Sequence, residues 1–205
     1  MPKRNRQVRR PPLSRRIYFR EPNQTFLIVC EGKNTEPLYF NSFKVPKDVK
    51  KVNAVGLGRN TVSLVKEAIK LKDKNDYDQV WVVFDVEDYV PLDVNAALAL
   101  AKDNSIRVAC SNEAFEIWFL LHFNYYNTAI SRSQYPDLLT RNTGIEYDKG
   151  CDMYARLVPL QEQAIRNAKR LLAEYDPYDP SRCNPSTTVH KLVEELNRFT
   201  PESRS

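Results

Sequence analysis

The chain has 205 residues, of which 42% are hydrophobic, and its formal net charge at pH 7 is +5. This length suffices for one sizeable core, and no apolar run reaches the roughly 18 residues that a membrane span needs. Its four cysteines lack C-x-x-C spacing, which favours neither a zinc site nor a disulfide framework. The basic start is not followed by the apolar segment of a signal peptide, so we expect a cytoplasmic protein.

Positive charge is concentrated in residues 1–16, which contain no acidic residue. Basic arms of this kind commonly bind nucleic-acid phosphates through counterion release. A solubilising arm, or one that packs against acids of the folded body, is the alternative, and both interpretations stay open. The arm contains seven cations: Lys3, Arg4, Arg6, Arg9, Arg10, Arg15 and Arg16.

The first 125 residues alternate between short apolar runs and segments with helical periodicity. We predict strands at 26–30, 52–55, 79–84 and 106–110, and helices at about 36–44, 60–72 and 92–102. Thr35 is the expected cap of the first helix. This alternation predicts an α/β fold in which an open, mainly parallel sheet carries helices on both faces. A buried helix is expected over 114–123, with Ser111 or Asn112 as its cap.

The second half of the chain is predicted to be mainly helical. Residues 124–150 show no clear period and are interpreted as loop, and a helical segment over 151–174 should break near Pro159. Asn184 is the expected N-cap of a last helix, with Pro185 at its first position. We therefore predict an α/β domain over 17–125 and a C-terminal helical region over 126–205 that packs on the same domain.

Carboxylates follow two of the predicted strands at the point where each strand ends. Glu31 comes directly after the first strand, and Asp85-Val86-Glu87-Asp88 comes after the third. The carboxyl ends of parallel strands meet at one edge of a sheet, and acids gathered there repel one another unless a cation lies between them. Oxygen ligands favour Mg²⁺ or Mn²⁺. The predicted metal ligands are Glu31, Asp85 and Glu87, with Asp88 and Glu116 as further candidates.

Several basic or flexible residues near these strand ends are candidate phosphate ligands. Gly32 permits a close backbone approach to a ligand, Lys33 adds a positive charge, and Arg59 follows the second strand. Each also has a plain structural interpretation as part of a turn or an exposed surface. His122 is expected to be a hydrogen-bonded core residue and His190 an exposed one, so neither supports nucleophilic catalysis by a Ser-His-Asp or Cys-His arrangement.

Four ordered segments, 26–40, 83–88, 111–123 and 184–193, resemble the motifs of the RloB-like proteins. That family is similar to Toprim-type nucleases, so the resemblance implies a Toprim or Rossmann-like fold. It also implies that Glu31 and the pair Asp85 and Glu87 bind magnesium, with Glu31 able to act as general acid or base. Glu87 stands where the Toprim pattern has aspartate. The association of the family with restriction-modification and abortive-infection loci implies a role in phage defence.

We therefore expect a magnesium-dependent nuclease that acts on DNA or RNA and does not bind membranes. The main alternative is a non-catalytic nucleic-acid-binding or sensing module of the same fold. A third possibility is a structural partner among the subunits of a restriction or other defence system. Glu31 placed far from the Asp85 pair, or a lysine or arginine filling the gap between them, would exclude the nuclease.

Overall fold

A computed structural model of the chain describes residues 24–43, 50–58, 61–86 and 91–199. Within these residues a single sheet has the strand order β2-β1-β3-β4-β5. The first four strands are parallel, and β5 pairs with β4 in the antiparallel direction. The predicted α/β fold with a mainly parallel sheet is confirmed. The strands are β1 (Gln24–Cys30), β2 (Lys50–Gly56), β3 (Gln79–Asp85), β4 (Arg107–Asn112) and β5 (Ser186–Thr187).

Eight α-helices surround the sheet in the described part of the chain. Two 3₁₀ turns, Arg132–Gln134 and Val158–Leu160, lead directly into two of them. None of the described helices combines the length and the apolar character needed to cross a membrane. The helices are α1 (Thr35–Asn41), α2 (Thr61–Lys74), α3 (Pro91–Asp103), α4 (Glu116–Leu120), α5 (Tyr135–Thr143), α6 (Tyr154–Leu157), α7 (Gln161–Leu172) and α8 (Val189–Asn197).

Each central strand is apolar on both sides because helices cover both faces of the sheet. Leu27 and Val29 of β1 point into a core shared with α2 and α3. Phe26 and Ile28, on the opposite face, point into a larger core that contains residues of α1, α4, α5, α7 and α8. The second half of the chain therefore packs on the same sheet as the first and shares its larger core.

The strand register places the carboxyl ends of β1 and β3 side by side. Cys30 pairs with Val83 across these two strands, and the Glu31 N–H donates to the Val83 carbonyl at 2.9 Å. The chain leaves β1 for β2 on one side and then crosses over to β3 on the other. Such a reversal opens a crevice outside the carboxyl ends of the strands, where ligands of α/β proteins bind.

The region predicted as loop over 124–150 contains a regular helix, α5. Tyr135 and Leu139, four residues apart, are both buried against the larger core. The helix ends at Gly144, whose φ of 71° is the left-handed conformation that glycine adopts at low cost. With only these two residues of α5 fully buried, the apolar periodicity is too weak to predict the helix from sequence. The predicted break near Pro159 is confirmed, because a 3₁₀ turn separates α6 from α7.

The prediction that Asn184 caps the last helix is wrong. Ser186 and Thr187 instead form β5 against the end of β4, and α8 begins at Val189. We call the buried hydroxyls of Ser111, Thr187 and Thr188 the hydroxyl cluster. Ser111 Oγ lies 2.8 Å from Thr187 Oγ1, and Thr188 Oγ1 accepts the Cys110 N–H at 2.9 Å. Ser111 thus bonds across the sheet, and neither it nor Asn112 caps α4, whose N-cap position is Phe115.

Two further local predictions are also wrong. Thr35 lies inside α1 and gives its hydroxyl to the Lys149 carbonyl at 3.0 Å, so it does not cap the helix. His190 is buried rather than exposed, and burial lowers its pKa to about 4. His122 is the expected core residue, with Nδ1 2.9 Å from the Trp118 carbonyl oxygen.

Candidate active site

Glu31 and Asp85, at the ends of β1 and β3, lie in direct contact. The Asp85 backbone N–H donates to Glu31 Oε2 at 3.1 Å, although 54 positions separate the two residues in sequence. The structure thus brings together two of the three acids that were predicted to share an ion. The third, Glu87, lies outside the described residues.

A cavity of about 340 Å³ opens beside these two acids. It is lined by residues from the β1–α1 turn, the end of β3, the start of α4, and the segments before α5 and before α6. Both halves of the chain therefore build its wall. Its acids are Glu31, Glu36, Asp85 and Glu116, and its cations are Lys33, Arg132 and Lys149.

Glu36 is a buried acid of this cavity, with only 5% of its surface exposed. Its Oε1 accepts the Gly32 N–H at 3.0 Å. Burial raises the pKa of Glu36, and the neighbouring Glu116 raises it further, whereas the hydrogen bonds from backbone N–H groups lower it. A Cβ on residue 32 would lie 2.1 Å from Glu36 Oε2, so only glycine allows this approach.

Glu116 lies at the start of α4 and is held from the opposite wall. Tyr147 donates its hydroxyl to Glu116 Oε1 at 3.1 Å, and both side chains are buried. Burial and the Glu116 carboxylate raise the pKa of Tyr147 well above its ordinary value, so the tyrosine stays protonated and acts as the donor. Because the Lys149 carbonyl also accepts the Thr35 hydroxyl, the segment before α6 is fastened to both α1 and α4.

The pKa of Asp85 is affected by its burial and by the charged side chains that line the cavity. Burial raises its pKa well above the ordinary value, and Glu36, Glu116 and Glu31 raise it further. Arg132 opposes this shift, because its Nη2 donates to Asp85 Oδ2 at 3.1 Å. The same guanidinium nitrogen donates to the Glu113 carbonyl at 3.2 Å. The carboxylates thus repel one another around Asp85, and one arginine partly offsets the repulsion.

Lys33 reaches the cavity because the β1–α1 turn packs tightly on the end of β2. The Gly58 N–H donates to the Glu31 carbonyl at 2.8 Å. A Cβ on Gly56 would lie 2.2 Å from the Gly32 carbonyl oxygen, and one on Gly58 would lie 2.5 Å from Lys33 Cε. Glycine is therefore required at 56, where a Cβ would meet backbone atoms of the turn, and is favoured at 58 by a left-handed φ of 61°.

The donor chemistry of the cavity suits a hard divalent cation, since its acids offer carboxylate oxygens of the kind that magnesium prefers. However, within 24–43, 50–58, 61–86 and 91–199 no three or more histidine, cysteine, aspartate or glutamate side chains are grouped to hold a metal ion. Arg132 pairs with Asp85 and so partly meets the condition that would exclude the nuclease, although the Asp85 N–H still contacts Glu31 directly. The predictions for Glu87, Asp88, Arg59 and the basic arm fall on residues outside the described ones.

A family model described as RloB-like protein matches residues 26–196. The chain belongs to the RloB-like protein family. The matched region contains every acid and cation of the cavity named above. No curated protein and no solved structure matches the chain. The comparisons therefore identify the family, and the residues of the cavity are the remaining source of information on function.

Four residues of the site were missed from sequence as functional candidates: Glu36, Arg132 and Lys149, which line the cavity, and Tyr147, which holds Glu116. Glu36 follows Glu31 by five positions and looks like an ordinary acid in the first turn of a helix. The other three lie in the stretch without clear period, where no local pattern relates them to the strand ends. Only the folding of that stretch over the sheet edge brings them to Asp85 and Glu116.

Proposed function

We propose that this RloB-like protein is a magnesium-dependent nuclease that hydrolyses phosphodiester bonds of nucleic acid. The observation that carries the proposal is the contact between Glu31 and Asp85 at the carboxyl ends of β1 and β3. Two acids from distant parts of the chain meet in a cavity that also holds Glu36 and Glu116. Negative charge of this density around one buried aspartate is relieved by a divalent cation.

Glu31 and Asp85, together with Glu87, would hold the ion, and Asp88 and Glu116 are further candidate ligands. Bound magnesium would polarise the scissile phosphate and lower the pKa of a coordinated water. The Asp85 N–H fixes Glu31 Oε2, which sets the orientation of a carboxylate suited to general acid or base catalysis. Tyr147 holds Glu116 in the same way from the opposite wall.

The cations of the cavity would meet the substrate phosphate. Lys33 extends from the β1–α1 turn past Gly58, and Lys149 lines the cavity from the segment before α6. Arg59 and the basic arm, of which Lys3, Arg4, Arg6, Arg9 and Arg10 are the proposed phosphate ligands, would hold the polynucleotide along its backbone. Contacts to phosphates position a nucleic acid without reading its sequence. Family membership supports a defence role, in a phage-defence or restriction-associated system whose other subunits are possible partners.

The proposal is tested by incubating the purified full chain with labelled single- and double-stranded DNA and RNA, in Mg²⁺, Mn²⁺ or EDTA. We expect cleavage that requires the metal. Glu31→Gln and Asp85→Asn should each lower the rate by about 100-fold or more, because each removes a ligand charge. Asp137→Asn, which neutralises an exposed acid on α5, is the matched control and should retain the rate.

Equal cleavage by the wild type and both cavity variants would assign the activity to a contaminant and reject the proposal. Deletion of residues 1–16 gives an independent measure of the arm. If the arm contacts phosphates, affinity for nucleic acid should fall steeply with salt in the full chain and less steeply in the truncated one.

The alternative function is a nucleic-acid-binding or sensing module without turnover. The Arg132–Asp85 ion pair favours it, because a guanidinium on Asp85 already supplies a positive charge to the acids. This module would bind the same nucleic acids in EDTA as in Mg²⁺, would cleave none of them, and would bind equally well after Glu31→Gln.

A further inference from the structure

Arg132 is held at the edge of the cavity by the fold of its own segment. Ser131, the residue before it, donates both its N–H and its hydroxyl to Gln134 Oε1, at 3.0 and 2.9 Å. These two hydrogen bonds close the 3₁₀ turn that contains Arg132. The turn runs directly into α5, which is anchored by the buried Tyr135 and Leu139. The backbone of Arg132 is therefore fixed in front of Asp85.

The side chain of Arg132 is less constrained than its backbone. It is 39% exposed, whereas the Asp85 side chain to which it is paired is only 16% exposed. An arginine side chain with this exposure can change rotamer without unfolding its segment. Arg132 can thus leave Asp85 while its backbone stays in place, provided that its hydrogen bond to the Glu113 carbonyl also breaks.

A divalent ion and the Arg132 guanidinium would compete for the same oxygen atoms. The guanidinium lies 3.1 Å from Asp85 Oδ2, and two positive charges at such short range repel one another strongly in a largely buried site. Metal binding at Asp85 would therefore push the guanidinium away. The displaced group would remain in a cavity that already holds Lys33 and Lys149.

A guanidinium released beside the metal is well suited to a phosphate. Its planar set of N–H donors matches two phosphate oxygens at once, which the ammonium groups of Lys33 and Lys149 do not. A phosphodiester entering the cavity would meet three cations from three separate segments of the chain. One of them, Arg132, would become available only after the metal had bound.

We propose that Arg132 is a substrate-phosphate ligand that occupies Asp85 in the metal-free protein and transfers to the phosphodiester when a divalent ion displaces it. This inference rests on the proposed metal-dependent function. Under this proposal the ion pair between Arg132 and Asp85 sets the order of binding: the metal binds first and the nucleic acid second. A fixed structural ion pair is the contrary interpretation.

The first measurement is Mn²⁺ affinity of the full-length protein, followed by the paramagnetic signal of free Mn²⁺. Arg132→Gln removes the competing charge, and we expect it to bind Mn²⁺ about fivefold more tightly or better than the wild type. Arg132→Lys keeps a positive charge at this position and should bind like the wild type or nearly so. Arg141→Gln, at an exposed arginine on α5, is the matched control and should change nothing.

The second measurement is the affinity of the same variants for a phosphorothioate-linked single-stranded oligonucleotide, in Mn²⁺ and in EDTA. Mn²⁺ should strengthen binding by the wild type, because it frees Arg132. In Arg132→Gln this enhancement should be clearly smaller, because only the direct contact between Mn²⁺ and the phosphate remains, whereas its affinity in EDTA should match that of the wild type. A purely structural role for Arg132 would lower both affinities together with the melting temperature.

The failures of the two proposals are distinguishable. If the wild type binds Mn²⁺ and Glu31→Gln abolishes that binding, but Arg132→Gln binds no more tightly, the role of Arg132 is overturned and the metal-dependent function stands. If the wild type does not bind Mn²⁺ at all, both proposals are overturned.

Discussion

Two polar regions interrupt the apolar structure at the carboxyl end of the sheet. The polar groups of one have hydrogen-bond partners, whereas those of the other are carboxylates that repel one another. In the hydroxyl cluster, Ser111 pairs with Thr187, and Thr188 accepts a backbone N–H. In the cavity, burial raises the pKa of Asp85, and the carboxylates of Glu36, Glu116 and Glu31 raise it further. Buried hydroxyls with partners stabilise a fold, whereas buried like charges oppose it. The hydroxyl cluster therefore stabilises the fold, and the unfavourable charge in the cavity supports the proposal that the cavity binds a ligand.

The largest effect is expected from a change that distorts the cavity backbone without altering its charges. Gly56→Ala places a Cβ 2.2 Å from the Gly32 carbonyl oxygen, so the β1–α1 turn has to move away from β2. We expect a loss of about 3 kcal/mol in the free energy of unfolding, measured by denaturant titration. Gly150→Ala is the control, since its Cβ would meet only the end of a side chain, Asp148 Oδ1, at 3.0 Å. Equal stability of both variants would show that the turn is not packed as described.

A smaller loss is expected in the hydroxyl cluster. Thr188→Val keeps the shape of the side chain but removes the acceptor of the Cys110 N–H, which is then buried without that partner. This should cost about 2 kcal/mol of stability. Thr188→Ser retains the hydroxyl and should recover most of the loss. Neither change should alter the affinity for Mn²⁺, and a large change in that affinity would contradict the separation of the two regions.

The smallest effect should have the opposite sign. Glu36→Gln removes a buried charge of the cavity but keeps the Oε1 acceptor for the Gly32 N–H. We expect the metal-free protein to become more stable by about 1 kcal/mol at pH 7, as measured by thermal or denaturant unfolding. Glu162→Gln, at a side chain that is 92% exposed, is the control and should have almost no effect.

The gain from Glu36→Gln should also depend on pH. The pKa of Glu36 is raised in the folded state above its ordinary value of 4.5, so the folded state binds more protons than the unfolded state above that pH. The wild type therefore loses this contribution as pH rises from about 4.5, whereas the variant does not. The difference between them should grow with pH, and a difference that shrinks would contradict the raised pKa.

The sheet and the proximity of Glu31 to Asp85 could be predicted from sequence, because both depend on local patterns. Continuous apolar runs gave the strands, and the acids at their ends, Glu31 and Asp85, were close in space because parallel strands end at one edge. The confirmed family resemblance rests on motifs that contain these same positions. The metal-binding role of all five predicted ligands stays a prediction: Glu31, Asp85, Glu87, Asp88 and Glu116.

The remaining features could not be predicted because tertiary contacts determine them. Asn184-Pro185 has the pattern of a helix start, but Ser186 and Thr187 pair with β4 instead, so the helix begins only after them. His190 lies outside the apolar stripe of α8 and yet is buried, because surrounding elements cover more of the helix than the stripe. Arg132 reaches Asp85 across 47 positions, a distance over which no periodicity carries information.

The order of the cavity residues along the chain has a consequence for biosynthesis. Glu31, Glu36, Asp85 and Glu116 all precede Arg132 and Lys149. On the ribosome, the segments that carry the acids leave the exit tunnel before these two cations do. A nascent chain thus presents all four of these carboxylates at a stage when Lys33 is the only one of the three named cations that has been synthesised.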